Sequence, residues 1–407
     1  MSNTVLSSAR RLAAALILFV ALSAVAHAAD LTVKFGVLND RSGPYADLAG
    51  AGSVVAAQMA AEDFMAENKG VKVEVVSADH QNKPDIGSSI VRQWIDQDGV
   101  DVILDVPLSS VALGVHQIVR EKNKLMINSG AGASELTGAL CSPNTIHWTY
   151  DTWALANGTG SALVRSGGDT WFFITSDYAF GRALERDVSD VVVKSGGKVL
   201  GSVRHPLSAT DYSSFLLQAQ ASRAKIIGLA NAGGDTINAI KQAAEFGTTE
   251  AGQKLAGLLV FISDVHSLGL KAAQGLVLTE AFYWDLNDGT RAWSKRFSER
   301  LGGRMPTMVQ AGVYSGMMHY LKSLQRVGDK DLAKVTAEMR RVPAEDALFG
   351  RSLVRADGRV THDMYLFEVK KPSASKGAWD YYTLISTIPG DQAFRPIAEG
   401  GCTMVGK

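Results

Sequence analysis

The sequence predicts an α/β protein of two doubly wound parallel-sheet lobes joined by a multi-strand hinge. Three observations lead there. From residue 33 onward, short apolar runs alternate with amphipathic stretches of helical period, and strands separated by helices imply right-handed βαβ crossovers and a parallel sheet. The alternation restarts near Trp153, so one such sheet is followed by another. Two long helical patterns then come with no strand between them, and such helices must cover a sheet already built.

Val33–Leu38 (VKFGVL) reads as the first strand, and Gly52–Met65 as a helix with apolar residues at i, i+3 and i+4. Val71–Val76 is a strand, Pro84–Asp98 a helix, Val102–Leu104 a strand, Val111–Glu121 a helix and Leu125–Ile127 a strand. In the second run, Trp153–Arg165 reads as a helix and Thr170–Thr175 (TWFFIT) as a buried strand. A helix from Ala179, a strand at Lys198–Val203, a helix at Ser213–Ala221, a strand at Ile226–Leu229 and a helix at Asp235–Phe246 follow. Strands are expected at Leu258–Phe261 and Leu276–Leu278, and Arg291–Leu301 and Thr307–Gln325 are the covering helices. The tail returns to strands: SLVRADGRV from Ser352 holds the Asp-Gly of a hairpin turn, and Met364–Val369 is expected to pair with that edge. The first lobe then takes residues 29–150 and 284–350, and the second takes 151–283 and 351–407.

Residues 1–28 read as an export signal. Arg10 and Arg11 give a positive start, LAAALILFVAL from Leu12 to Leu22 gives an apolar core, and Ala26-His27-Ala28 gives small residues before a cleavage point. That core is shorter than the roughly 20 residues of a membrane span, and no cysteine follows the cleavage point to carry a lipid. A soluble protein outside the cytoplasm is expected. The 407 residues hold 41 Lys+Arg against 41 Asp+Glu, spread evenly, so no basic face is offered to phosphates and nucleic acid is excluded as a partner. Two cysteines, Cys141 and Cys402, exclude a disulfide scaffold and a thiolate metal cluster. Outside the cytoplasm they are expected to pair and pin the C-terminal tail.

A catalytic chain should leave a motif. GxSxG, HExxH, CxxC and the P-loop are all absent. Gly50-Ala51-Gly52 lacks the third glycine of a dinucleotide turn and lies too far from the first strand. The histidines are scattered without metal-ligand spacing, and His116 and His319 fall inside helical patterns. No enzyme activity, cofactor or metal is expected.

Small, hydroxyl and aromatic residues gather instead just past strand ends, where ligands of such sheets bind. After the first strand a Ser-Gly-Pro turn leads to Tyr45 and Leu48, one of which faces the space above the sheet. After the third, Ser109 and Ser110 open a helix whose free N–H groups hold an anion without a lysine. After the fourth come Ser129, Gly130, Ala131 and Gly132, where glycine lets main-chain amides approach a ligand. Plain helix capping is the alternative use of these serines. In the second lobe Tyr178 and Phe180 can sandwich an apolar body, while Asn231 and Asp235 can bond polar groups or cap helices. Phe282-Tyr283-Trp284 is either hinge packing or a pocket wall.

Four segments carry a resemblance: Phe35–Phe64, Leu125–Gly138, SDYAFGRAL at Ser176–Leu184, and the ANAGGDTINAIKQAAEFG run ending at Gly247. Together they resemble the periplasmic leucine/isoleucine/valine-binding proteins, the type I solute-binding proteins of ABC importers, over nearly all of the chain after the signal. The resemblance implies two lobes on three crossovers that close over a solute and hand it to a membrane permease, with a monomer as the working unit. It also implies contacts from Ser109, Ser110 and the Ser129–Gly132 loop in one lobe. In the other they fall on Tyr178 or Phe180, the Asn231–Asp235 loop, and the neighbourhood of Ser263 and Asp264. One departure stands out: Gly132 occupies the place where amino-acid binders carry a hydroxyl residue, and only Asp264 or Asp235 is available for a substrate ammonium. A small carboxylate is therefore expected, either a branched-chain amino acid or an aromatic or oxo acid. The alternatives are a ligand-sensing receptor subunit and an exported enzyme.

Overall fold

The computed structural model describes residues 31–248 and 252–405, so the expected export signal lies outside the described residues. The first sheet holds β1 (Leu31–Asn39), β2 (Val71–Asp79), β3 (Val102–Asp105), β4 (Leu125–Asn128) and β5 (Thr145–His147). These strands are all parallel and lie in the order β2-β1-β3-β4-β5. Helices α1 (Gly50–Glu67), α2 (Pro84–Asp96) and α3 (Ser109–Glu121) make the crossovers. β3 and β4 are buried along their whole length, as strands covered on both faces must be.

The chain then enters a second parallel sheet through α4 (Thr152–Leu155), a π-turn at Ala156–Gly160 and α5 (Ser161–Arg165). The sequence pattern gives one continuous helix here. The π-turn arises where the helix meets the strand over it: a Cβ on Gly158 would lie 2.2 Å from Thr279 Oγ1, and the Thr159 and Thr279 hydroxyls bond at 2.8 Å. The second sheet holds β6 (Thr170–Ser176), β7 (Lys198–His205), β8 (Ile226–Ala230) and β9 (Lys254–Gly257), in the order β7-β6-β8-β9. Its crossovers are α6 (Ala179–Lys194), α7 (Ser213–Ser222) and α8 (Gly234–Glu245).

The expected strand at Leu258–Phe261 is displaced. β9 ends at Gly257, and the apolar residues that follow form a loop into α9 (Ile262–Leu268), with α10 (Leu270–Ala273) and β10 (Val277–Glu280) beyond it. The covering helices are α11 (Asp288–Arg300) and α12 (Met308–Val327), followed by α13 (Leu332–Arg341). Helix α12 packs on the first sheet, where Tyr320 meets the Phe35 ring edge-on at 5.5 Å. A capping box at its start has Thr307 accepting from Gln310 N at 3.4 Å, and the same hydroxyl donates to Leu48 O at 2.7 Å. Gln310 Nε2 donates to Ala49 O at 3.1 Å, so the loop after β1 is tied down by α12.

The tail forms β11 (Ala344–Asp346), β12 (Gly350–Val354), β13 (Val360–Thr361), β14 (Met364–Val369), β15 (Tyr382–Ile388) and a short α14 (Gly390–Ala393). The Asp357-Gly358 turn joins β12 to β13, with Gly358 at φ +86° and its backbone pressed on Thr145 O. Contrary to the sequence expectation, β14 does not pair with this hairpin. It is the central strand of an antiparallel sheet, β10-β14-β15, where its main-chain groups find partners along both edges. The hairpin lies against β5 instead, where His147 N donates to Gly358 O at 2.9 Å. Arg359 beside it is fully buried, donates to Tyr150 O at 3.0 Å and stands 4.5 Å over the Phe394 ring. Cys141 and Cys402 are joined by a disulfide across 261 residues of sequence.

Candidate ligand site between the lobes

The carboxyl ends of the two parallel sheets face each other across a nearly closed pocket with about 10 Å³ of free space. The first lobe contributes Tyr45 and Leu48 from the loop after β1, Pro107 after β3, Gly130 after β4, and Tyr150 ahead of α4. The second contributes Tyr178 and Phe180 after β6, Ala232 after β8, and Leu259 and Phe261 after β9. A wider surface groove of about 270 Å³ along α12 and β11 lies away from these strand ends. The pocket walls touch each other. The hydroxyls of Tyr45 and Tyr178 meet at 2.5 Å, and Gly234 N donates to Pro44 O at 3.1 Å. Gly233 has φ +56°, and a Cβ there would stand 2.3 Å from Pro44 O, so only glycine permits this approach.

Polar groups enter from the first lobe. Ser109 is fully buried, and its Oγ accepts from Ala133 N at 3.3 Å, which leaves its O–H free to donate. No side chain caps α3, so the first-turn amides are not spent on Ser109 or Ser110, and the capping alternative fails for these serines. In the loop after β4, Ala131 N donates to Asn128 Oδ1 at 2.9 Å and Gly130 N to Asp105 O at 3.4 Å. That leaves the Gly132 amide without a partner among the described residues. Gly132 itself has a steric reason: a Cβ would lie 2.8 Å from the Phe180 ring and 2.9 Å from the Tyr150 ring. The place of the hydroxyl residue is filled by aromatic carbon. Tyr150 is fixed by donating its hydroxyl to Gly130 O at 2.5 Å and packs edge-on with Phe261 at 6.2 Å between centroids.

Residues 32–378 match the family described as periplasmic binding protein. The chain belongs to that family. A crystal structure of a periplasmic binding protein from Burkholderia mallei is 52% identical, with a TM-score of 0.90, covering 92% of this chain and 99% of the other. A branched chain amino acid ABC transporter periplasmic ligand-binding protein from Burkholderia xenovorans is 41% identical at TM-score 0.82, covering 91% of this chain and 99% of that one. The Leu/Ile/Val-binding protein homolog 6 of Brucella melitensis is 26% identical over 363 residues, 86% of this chain and 90% of the relative. At 20% and 22% identity, where the likeness is one of fold, two Rhodopseudomonas palustris proteins are solved with benzoate and with 4-hydroxybenzoate, at TM-scores of 0.79 and 0.78.

In this periplasmic binding protein several residues singled out from sequence are not among those lining the pocket. Asp264 Oδ2 accepts from Phe261 N at 2.9 Å, so its carboxyl closes the first turn of α9, and burial pushes its pKa up to about 7. Asp235 Oδ2 accepts from Ser208 N at 3.2 Å, and burial raises it to about 6. Asn231 is turned into the second lobe, accepting from the Thr236 hydroxyl at 2.6 Å and lying 3.2 Å from His205 Nε2. The Ser129 side chain backs onto Gly312 of α12, Ala131 is closed off by two bonds to Asn128, and Ser109, Ser110 and Gly132 are not among the lining residues. Tyr283 donates to Trp379 O at 3.1 Å and packs on Phe367 and Tyr382, so the aromatic run is packing around the antiparallel sheet and not a pocket wall. Beside Tyr45, Leu48, Gly130, Tyr178 and Phe180, the pocket is lined by Tyr150, Leu259, Phe261, Pro107 and Ala232, which the sequence reading did not name as site residues. No acid or base is among the lining residues. Burial raises the pKa of Tyr45, Tyr150 and Tyr178, so their hydroxyls stay neutral.

Proposed function

We propose that this periplasmic binding protein is the extracytoplasmic carrier of an ABC importer and captures a small aromatic carboxylate between its lobes for delivery to a membrane permease. The observation that carries the reading is the division of the pocket. Beside the lining residues Pro107 and Gly130 stand Ser109, with its free O–H, the Gly132 amide and the first turn of α3; the lining itself is rings and aliphatic carbon with no carboxylate. Amide and hydroxyl dipoles at a helix start hold an anion without a cationic side chain. The rings of Tyr150, Tyr178, Phe180 and Phe261 then hold a flat apolar body. An amino acid needs an anionic partner for its ammonium; the Asp264 carboxyl is held by the Phe261 amide, and neither Asp264 nor Asp235 lines the pocket. The relative named for branched-chain amino acids makes leucine the natural comparison ligand.

Capture proceeds by closure. A solute that touches both lobes stabilises the closed form by its differential affinity for it. The test is a thermal-shift and calorimetric screen against benzoate, 4-hydroxybenzoate, benzoylformate, leucine, isoleucine and valine. Binding to the native state alone raises Tm by mass action. Shifts with the aromatic acids and none with the aliphatic amino acids are expected; the reverse pattern refutes the proposed substrate class. Conversion of a ligand to product on incubation would show an enzyme instead.

A further inference from the structure

Asp105 ends β3 directly beneath the loop that carries Gly130 and Gly132. It is fully buried. Its Oδ2 accepts from Asn39 Nδ2 at 3.4 Å, while its Oδ1 has no partner among the described residues. A Cβ on Gly130 would stand 2.8 Å from that Oδ1, so the carboxyl lies against the loop itself. The backbone is unusual at the same point: Asp105 has φ +76° and Val106 φ +56°. Two successive non-glycine residues in the left-handed region, one of them β-branched, are rare. Such conformations persist where the surroundings enforce them, and they cluster at ligand sites. Here they steer the chain into Pro107 and the start of α3.

The groups acting on Asp105 are Asn39 of β1, Ser53 of α1 and Ser129 after β4, all neutral, and the titratable group that feels its charge is Tyr150. No cation acts on it among the described residues. Burial pushes its pKa up to about 7.

We propose that Asp105 is a positioning residue for the anion subsite and that carboxylate capture is coupled to uptake of one proton at Asp105. This rests on the reading that the pocket takes a carboxylate. An ionised Asp105 sets a second negative charge under the same loop, in a dry surrounding with no counter-charge, where repulsion is strong. The neutral acid removes that charge and gains an O–H donor for the network. The balance is simple: the ligand enters as its anion, one solvent proton moves to the Asp105 carboxyl, and no bond of the ligand changes.

The experiment is calorimetric titration of the full protein with benzoate, and separately with leucine, at pH 6 and pH 8 in buffers of different ionisation enthalpy. Uptake approaching one proton per ligand at pH 8 is expected, with affinity about tenfold weaker at pH 8 than at pH 6 for a group titrating near 7. Asp105→Asn should abolish both the uptake and the tenfold change, which a merely structural role would leave in place. Binding without proton uptake, or a pH dependence that persists in the variant, overturns the proposal. If the variant does not fold, the proton count on the unmodified protein decides alone. Leucine binding with proton uptake, and no benzoate binding, would refute the aromatic substrate class yet uphold Asp105; binding of neither overturns both.

Discussion

The two walls of the pocket are built from opposite materials. Below the first sheet's strand ends lie Asn39, Asp105, Asn128 and Ser109, all buried and polar, and their work is to hold main-chain loops in place. The second lobe presents Tyr178, Phe180, Ala232, Leu259 and Phe261, while its own buried polar residues, Asn231, Asp235 and Asp264, face inward. The difference separates two tasks. On the proposed reading, a lobe that offers dipoles recognises the charged end common to a class of acids, whereas a lobe that offers rings sorts the members of the class by shape. Changes in the first lobe should therefore weaken all carboxylates alike, and changes in the second should reorder them.

The largest effect should come where the walls meet. Gly132→Ser drives a side chain into the Phe180 and Tyr150 rings, 2.8 and 2.9 Å away. It should weaken binding of every ligand by about 3 kcal/mol, the upper range for overpacking, measured by calorimetry. Adding Phe180→Ala should recover part of that loss, and no recovery would mean that the glycine serves something other than this packing. Next, Ser109→Ala removes a donor to a buried anion and should cost about 2 kcal/mol. The loss should be equal for benzoate and for an aliphatic acid such as cyclohexanecarboxylate; a loss confined to one of them breaks the division of labour. Phe261→Ala should do the opposite, costing the aromatic acid about 1 kcal/mol more than the aliphatic one.

The smallest effect separates Asp264 from Asp105. An acid whose folded pKa is raised keeps its proton longer in the native state, so folding stability falls as pH climbs from about 4 toward the raised value of about 7. Asp264→Asn keeps the cap and removes that titration. Its Tm relative to the unmodified protein should rise from pH 5 to pH 8, with the pH dependence of ligand affinity unchanged. A change in that affinity profile would bring Asp264 into the pocket chemistry after all.

Much of this was legible in the sequence. The parallel strands of both sheets announce themselves as buried apolar runs, and their helices as amphipathic stretches between them. The Ser109 loop and the aromatic pair Tyr178 and Phe180 follow from their place past strand ends. The misses have physical causes. Leu258–Phe261 looks like a strand because pocket lining and strand core use the same apolar residues; the apolar run outlasting β9 was the available signal. Tyr150 follows a three-residue strand, β5, too short to give a period. Asn231 and Asp235 were chosen over Ala232 because polar residues look functional, yet the strand-end geometry turns them inward and leaves the alanine facing out. The left-handed Asp105-Val106 step left no mark in composition, since neither residue type prefers it.

At the pocket the two walls are joined by one hydroxyl pair, Tyr45 with Tyr178, and one main-chain hydrogen bond, Pro44 with Gly234. Each such bond is worth roughly 1 kcal/mol net, because both partners find water when they part. A clasp of that strength adds little to the time a captured molecule stays inside, so residence is set almost wholly by the cargo's own contacts. The same weakness makes release undemanding. The charged contacts between the lobes, Arg186 with Glu135 at 2.6 Å and Ser134 with Asp187 at 2.8 Å, lie outside the pocket lining, so the mouth itself parts by breaking two neutral bonds.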